Sequence, residues 1–138
     1  MKVMIDTNVV LDSIGSRAPF DKAAQEIFLL AARKKITAAI TASTASDIYY
    51  LMKKRLQSGE QAAEALKKVF AIFDVVSVDR SDCMKAFDTG MSDYEDSLLA
   101  VCASRSKANY IVTRNIKDFK GSPVQEITPD EFLEKFSL

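Results

Sequence analysis

The side chains able to do chemistry in this 138-residue chain are carboxylates, and they stand at segment junctions. Val3-Met4-Ile5 runs straight into Asp6-Thr7-Asn8, and the run Ile40 to Ser46 leads to Asp47. Asp93 and Asp96 open the apolar stretch Ser97 to Ala103, and Tyr110-Ile111-Val112-Thr113 ends in Arg114-Asn115. A fold that gathers these ends builds an acidic pocket. The chain has no histidine, which removes Ser-His-Asp and Cys-His machinery, histidine-ligated zinc and histidine as a base. No Walker A loop and no G-x-G-x-x-G occurs, and the four glycines are scattered. What remains is oxygen-ligand metal chemistry or a carboxylate nucleophile.

Each acid has a structural reading beside the chemical one. Asp6 follows an apolar run directly, so it could cap the next helix as readily as bind an ion. Asp12 reads as a solvated or structural residue. Thr44-x-x-Asp47 resembles a capping box with Asp in place of Glu, yet Asp47 borders an apolar stripe and needs a partner there. Ser92-x-x-Glu95 matches a capping box, and Asp93 and Asp96 share a helical face. Capping accounts for one or two of Asp93, Glu95 and Asp96, whereas three acids in four residues need a countercharge. Mg²⁺ or Mn²⁺ suits such a cluster, because both take oxygen ligands and keep several waters. One or two such ions activate water and stabilise the leaving oxygen of a phosphodiester. In this scheme Asp6 and Asp96 bind the metal directly, while Asp47, Asp93 and Asn115 complete the site or orient the attacking water. Arg114, beside Asn115, is expected to contact substrate phosphate or to balance the carboxylates. Asp118 reads as a surface acid.

The elements that must position these residues alternate between two periods. Residues 2–6 form a nearly continuous apolar run, the pattern of a strand buried on both faces. Further strands are predicted over 37–42, 74–78, 109–113 and 124–127. Helices are predicted after Pro19 (Ala23, Ala24, Ile27, Phe28, Ala31), over 44–57 with Ile48, Leu51, Met52 and Leu56 inward, and through Leu66, Val69, Phe70 and Phe73. Gly59 is the expected break between the last two. Helices follow over 81–89 and 94–107, and Pro129 opens a final one. Strands alternating with helices, with no hairpin signal, predict one α/β domain spanning 1–138. It would be a three-layer α/β/α sandwich around a mainly parallel sheet of four to five strands. In such sheets ligands sit beyond the carboxyl ends of the strands, at the switch point in strand order.

Nineteen basic and nineteen acidic side chains cancel, so nucleic-acid binding would have to come from local patches. Arg33-Lys34-Lys35, Lys53-Lys54-Arg55 and Lys67-Lys68 are such clusters, read here as helix C-terminal charges and surface solubility. No apolar run approaches the ~20 residues that span a bilayer. No leader pattern is evident, since Asp6 interrupts the N-terminal apolar run. Cys83 and Cys102 lack metal-ligand spacing and read as reduced core residues of a cytoplasmic protein.

Taken in order, three motifs resemble the PIN-domain ribonucleases. Met4 to Asp12 resembles the opening of that family, and Asp93-Tyr94-Glu95-Asp96 through Ala103 resembles its third-acid helix. Tyr110 to Phe119 resembles the ending typical of bacterial toxin–antitoxin PIN proteins of the VapC type. The resemblance implies a PIN-like fold and Mg²⁺- or Mn²⁺-dependent cleavage of single-stranded RNA. It places the first acid on Asp6, the third on Asp96 and the second on Asp47, where the family usually has Glu. The fourth position falls on Asn115, which can orient a water but adds no charge, and Asp118 could contribute there. A cognate antitoxin and a homodimer are implied in the same way. Two rival readings are a haloacid-dehalogenase-like phosphatase, which needs a second acid where Asn8 stands, and a catalytically weak PIN-like module that binds RNA or a partner.

Overall fold

The computed structural model describes residues 1–136. Five strands form one sheet in the order β3-β2-β1-β4-β5: β1 (Lys2–Ile5), β2 (Thr37–Thr41), β3 (Asp74–Val76), β4 (Tyr110–Val112) and β5 (Glu126–Ile127). Every pairing is parallel, so the sheet is parallel throughout rather than mainly so. Among the described residues seven α-helices flank it: α1 (Thr7–Ile14), α2 (Asp21–Ala32), α3 (Ala42–Leu56), α4 (Gly59–Ile72), α5 (Arg80–Lys85), α6 (Tyr94–Arg105) and α7 (Pro129–Lys135). The chain winds one way from β1 to β3 and the other way from β4 to β5, which puts the switch point between β1 and β4.

Pleating divides the core. Val3, Ile5, Ala38, Ile40, Val112 and Ile127 turn to one face and pack with α1, α2, α3, α4 and Phe132 of α7. Met4, Ala39 and Ile111 turn to the other, against Leu99, Ala100, Cys102 and Ala103 of α6. The apolar positions of β1 are therefore covered on both sides, as its sequence predicts. Among the described residues no helix is long and apolar enough to cross a membrane.

Several local expectations shift by a residue or a turn. Thr41 ends β2 and also caps α3, its hydroxyl accepting from the Thr44 amide at 3.2 Å. No capping box starts at Thr44, and Asp47 lies in the second turn of α3. Asp93 rather than Ser92 caps α6, accepting from the Asp96 amide at 3.2 Å. Gly59 is the first residue of α4; the break is made by Gln57 in the left-handed region (φ 53°) and by Ser58, which caps α4. Leu51 and Leu56 are 46% and 37% exposed, because the inward stripe of α3 is the narrower set Ala45, Ile48 and Met52. Cys102 is buried but Cys83 only half so.

One ion pair ties the outer helix to the rest. Asp82 of α5 is 1% exposed and accepts from Arg105 of α6 at 2.8 and 2.9 Å. Removing one partner of such a buried pair costs about 3–5 kcal/mol, whereas an exposed pair such as Lys67–Glu64 contributes about 0–1 kcal/mol. Arg105 is partly exposed, so the low end applies: Asp82→Asn should lower the unfolding free energy by about 3 kcal/mol in a denaturant titration at pH 7. The guanidinium holds the Asp82 carboxyl below its ordinary value of 3.8. This contribution is therefore complete above that value and lost as the pH falls through the depressed one. The gap between wild type and variant should close in acid.

Candidate active site

Asp6 leaves the carboxyl end of β1 and caps α1 at the same time. Its Oδ1 accepts from the Thr7 amide at 2.8 Å, and its Oδ2 accepts from Thr113 Oγ1 at 2.8 Å and Asn8 Nδ2 at 3.3 Å. The capping and chemical readings are thus compatible: three donors use three of the roughly four lone-pair sites of a carboxylate. One is left open. Thr113 directly follows β4, and its hydroxyl both donates to Asp6 and accepts from the Asn115 amide at 3.0 Å. A single buried hydroxyl therefore fixes the first acid and the turn that carries Asn115.

Asp96 stands in the first turn of α6, beneath its cap Asp93. Partial burial and the charges of Asp6, Asp93, Asp118 and Glu95 push its carboxyl up to about 7. Burial, above all, also raises Asp6, with Asp118 adding to it and the Thr113 and Thr7 hydrogen bonds opposing it. Asp47 and Glu95 meet from opposite layers of the sandwich; a hydrogen bond to Asp47 is the main reason the Glu95 carboxyl is raised. The structure so brings Asp6, Asp47, Asp93, Asp96 and Asp118 into one field, with Glu95 as a further member. Among the described residues none of these acids forms a salt bridge.

Arg114 lies at the edge of this field but is turned to another partner. Its Nε and Nη2 donate to Asp12 at 2.6 and 3.3 Å, and Arg17 Nε donates to the same carboxylate at 2.9 Å. Asp12 is 1% exposed, so it is structural and not solvated. Asn115 is exposed on the turn after β4, and its backbone carbonyl accepts from the Asp118 amide at 3.0 Å. Sequence reasoning missed Thr113, the anchoring role of Asp12 with Arg17, and the Asp47–Glu95 contact. Thr113 had a signal, being the last residue of a buried run at the sheet edge that carries Asp6. The other two join residues with no periodic relation.

Among the described residues no three histidine, cysteine, aspartate or glutamate side chains already converge as a metal cage. The donors nevertheless fit a hard dication. They are carboxylate oxygens that raise one another's proton affinity, and none of them is salt-bridged among the described residues. Mg²⁺ in particular takes one or two protein carboxylates and completes its shell with water and phosphate oxygens. Asp6 and Asp96 are the residues that would hold it. A hollow of about 550 Å³ lies at the α3–α4 turn against Leu56, Ser58 and Lys68, away from Asp6, Asp47, Asp93 and Asp96.

Two measurements check this geometry. Asp96 binds its proton more tightly folded than unfolded, so metal-free stability should fall as the pH rises from the ordinary carboxylate range to about 7. Asp96→Asn should flatten that slope and raise Tm at pH 8 by roughly 2–4 °C, while leaving pH 4 unchanged. Asp12→Ala leaves two guanidinium groups without their carboxylate and should lower the unfolding free energy by about 3 kcal/mol.

Comparison with known proteins agrees with this fold. VapBC2 from Rickettsia felis, bound to a DNA fragment from its promoter, superposes with a TM-score of 0.71 at 22% identity over 93% of this chain and 98% of that one. FitAcB from Neisseria gonorrhoeae gives 0.67 at 16% identity, covering 92% and 97%. VapC20 from Mycobacterium tuberculosis, a sarcin–ricin loop cleaving toxin, gives 0.62 at 14%, covering 79% and 86%. No curated protein sequence matches the chain. The family model described as PIN domain matches residues 2–117. With a parallel sheet whose switch point carries Asp6 and whose facing helix carries Asp96, the chain belongs to the PIN-domain family.

Proposed function

We propose that this protein is a Mg²⁺- or Mn²⁺-dependent endoribonuclease that cleaves phosphodiester bonds of single-stranded RNA. The observation that carries the reading is the uncompensated pair of Asp6 and Asp96 at the sheet's switch point, each raised in pKa and neither salt-bridged. Such a site repels a bare phosphate, so a cation must mediate any contact with RNA. Bound there, a divalent ion would supply a nucleophilic water at neutral pH and neutralise charge building on the leaving oxygen.

The chain's own residues divide the remaining work. Thr113 and Asn8 hold Asp6 with one lone pair free, so its orientation is set before any ligand arrives. Asp93 caps α6 and thereby fixes the turn from which Asp96 projects. Asp47 and Glu95 interact, and whichever of the two is ionised can accept a proton from an incoming water. Asn115 can orient that water, and Arg114 can approach phosphate only as far as its bonds to Asp12 allow.

The structural likeness to VapBC and FitAcB assemblies supports a toxin role. A cognate antitoxin, a cytoplasmic setting and a homodimer belong to the same reading. A catalytically weak binding module is the alternative, favoured by the lack of a preformed cage of three acids among the described residues. Cleavage of single-stranded oligoribonucleotides with and without Mg²⁺ or Mn²⁺ separates the two. Asp6→Asn and Asp96→Asn should each lower the metal-dependent rate by roughly 100-fold or more, the scale on which positioned charges act in catalysis. Residual activity identical in wild type and both variants would mark a contaminant and leave the binding module.

A further inference from the structure

Beside the acid cluster the same sheet edge carries a second hollow. It has a volume of about 300 Å³ and is lined by Pro19, Phe20, Arg114, Thr128, Pro129 and Asp130. A hollow of about 360 Å³ adjoins it, lined by Arg114, Asn115 and Asp118 among others. Arg114 lines both. We propose that the first hollow is a nucleobase subsite, which takes one unpaired base of a single-stranded RNA adjacent to the scissile phosphate. This rests on the ribonuclease reading above.

The walls have the chemistry for it. The Phe20 ring is 45% exposed, and the Arg114 guanidinium lies over it at 4.1 Å from the centroid. Unpaired bases stack on aromatic rings and on guanidinium planes alike. This stack is fixed in advance: buried Asp12 holds Arg114 from below and is itself held by Arg17. Two guanidinium groups on one carboxylate leave a surplus positive charge beside the acids, where a backbone phosphate would lie. The rim is polar. Thr128 Oγ1 accepts from the Glu131 amide at 3.1 Å, which leaves its own proton to donate. The Asp130 carboxylate can accept from an exocyclic amine, as acidic side chains do from cytosine N4. A base inside a duplex cannot enter without unpairing, so the subsite selects single strands.

The test uses a short oligouridylate carrying one 2-aminopurine, with Ca²⁺ in place of Mg²⁺ to hold back cleavage. Wild type and Phe20→Tyr should bind it and quench the 2-aminopurine. Phe20→Ala, with unchanged Tm, should bind about tenfold more weakly without quenching. An oligomer with an abasic site in place of the 2-aminopurine should bind wild type and Phe20→Ala alike. Binding without quenching, or equal affinity in Phe20→Ala, would overturn the subsite and leave the hollow to a protein partner. No binding by wild type overturns both readings. Quenched binding with no cleavage in Mg²⁺ overturns the nuclease alone.

Discussion

The arrangement depends on β1 being hydrogen-bonded on both edges and buried on both faces. Lys2 to Met4 pair with β2 while Val3 to Ile5 pair with β4. Val3, Met4 and Ile5 are 0–1% exposed, so slipping the strand by one residue would swap every side chain between two packed layers. The register of β1 is therefore fixed, and with it the position of the residue that follows. Asp6 continues the ladder through its amide to Val112 at 3.0 Å. It thus stands where the strand order reverses, under the ends of two helices that belong to different layers.

From that point the site is built against an electrostatic cost. Acids gather from β1, α3, α6 and the turn after β4, and each raises the proton affinity of its neighbours. Arg114 offsets this only from a distance, through its charge on Asp6. Its guanidinium is bound to Asp12 instead. Elsewhere the same chain pairs its buried acid Asp82 with Arg105 directly. That contrast separates an acid held by a buried ion pair from a cluster of acids that none of the described basic residues salt-bridges.

Most of the fold was legible in the sequence. The apolar run of β1 and Pro129 at the start of α7 act through local rules of burial and backbone geometry, and both lie where those rules put them. The valine-rich β3, predicted over 74–78, stops at Val76 and leaves Val75 45% exposed. The misreadings were local too. Caps predicted at Thr44 and Ser92 lie at Thr41 and Asp93, because several residues in each stretch can accept an amide and the helix takes the one its packing allows. Leu51 and Leu56 followed the helical period, yet packing of α3 against the sheet and α4 uses a narrower stripe.

The sequence by itself determined the inventory of this protein: carboxylates at segment ends, no histidine, alternating strands and helices, and the motifs of one family. Those are properties of residue type and spacing, which a chain carries before it folds. The tertiary structure decided which acids face one another. Thr113 reaches Asp6 across 107 positions of sequence and Arg114 reaches Asp12 across 102. Asp47 meets Glu95 only because α3 and α6, on opposite faces of the sheet, overhang the same edge. Such contacts depend on strand order, and no local period encodes strand order.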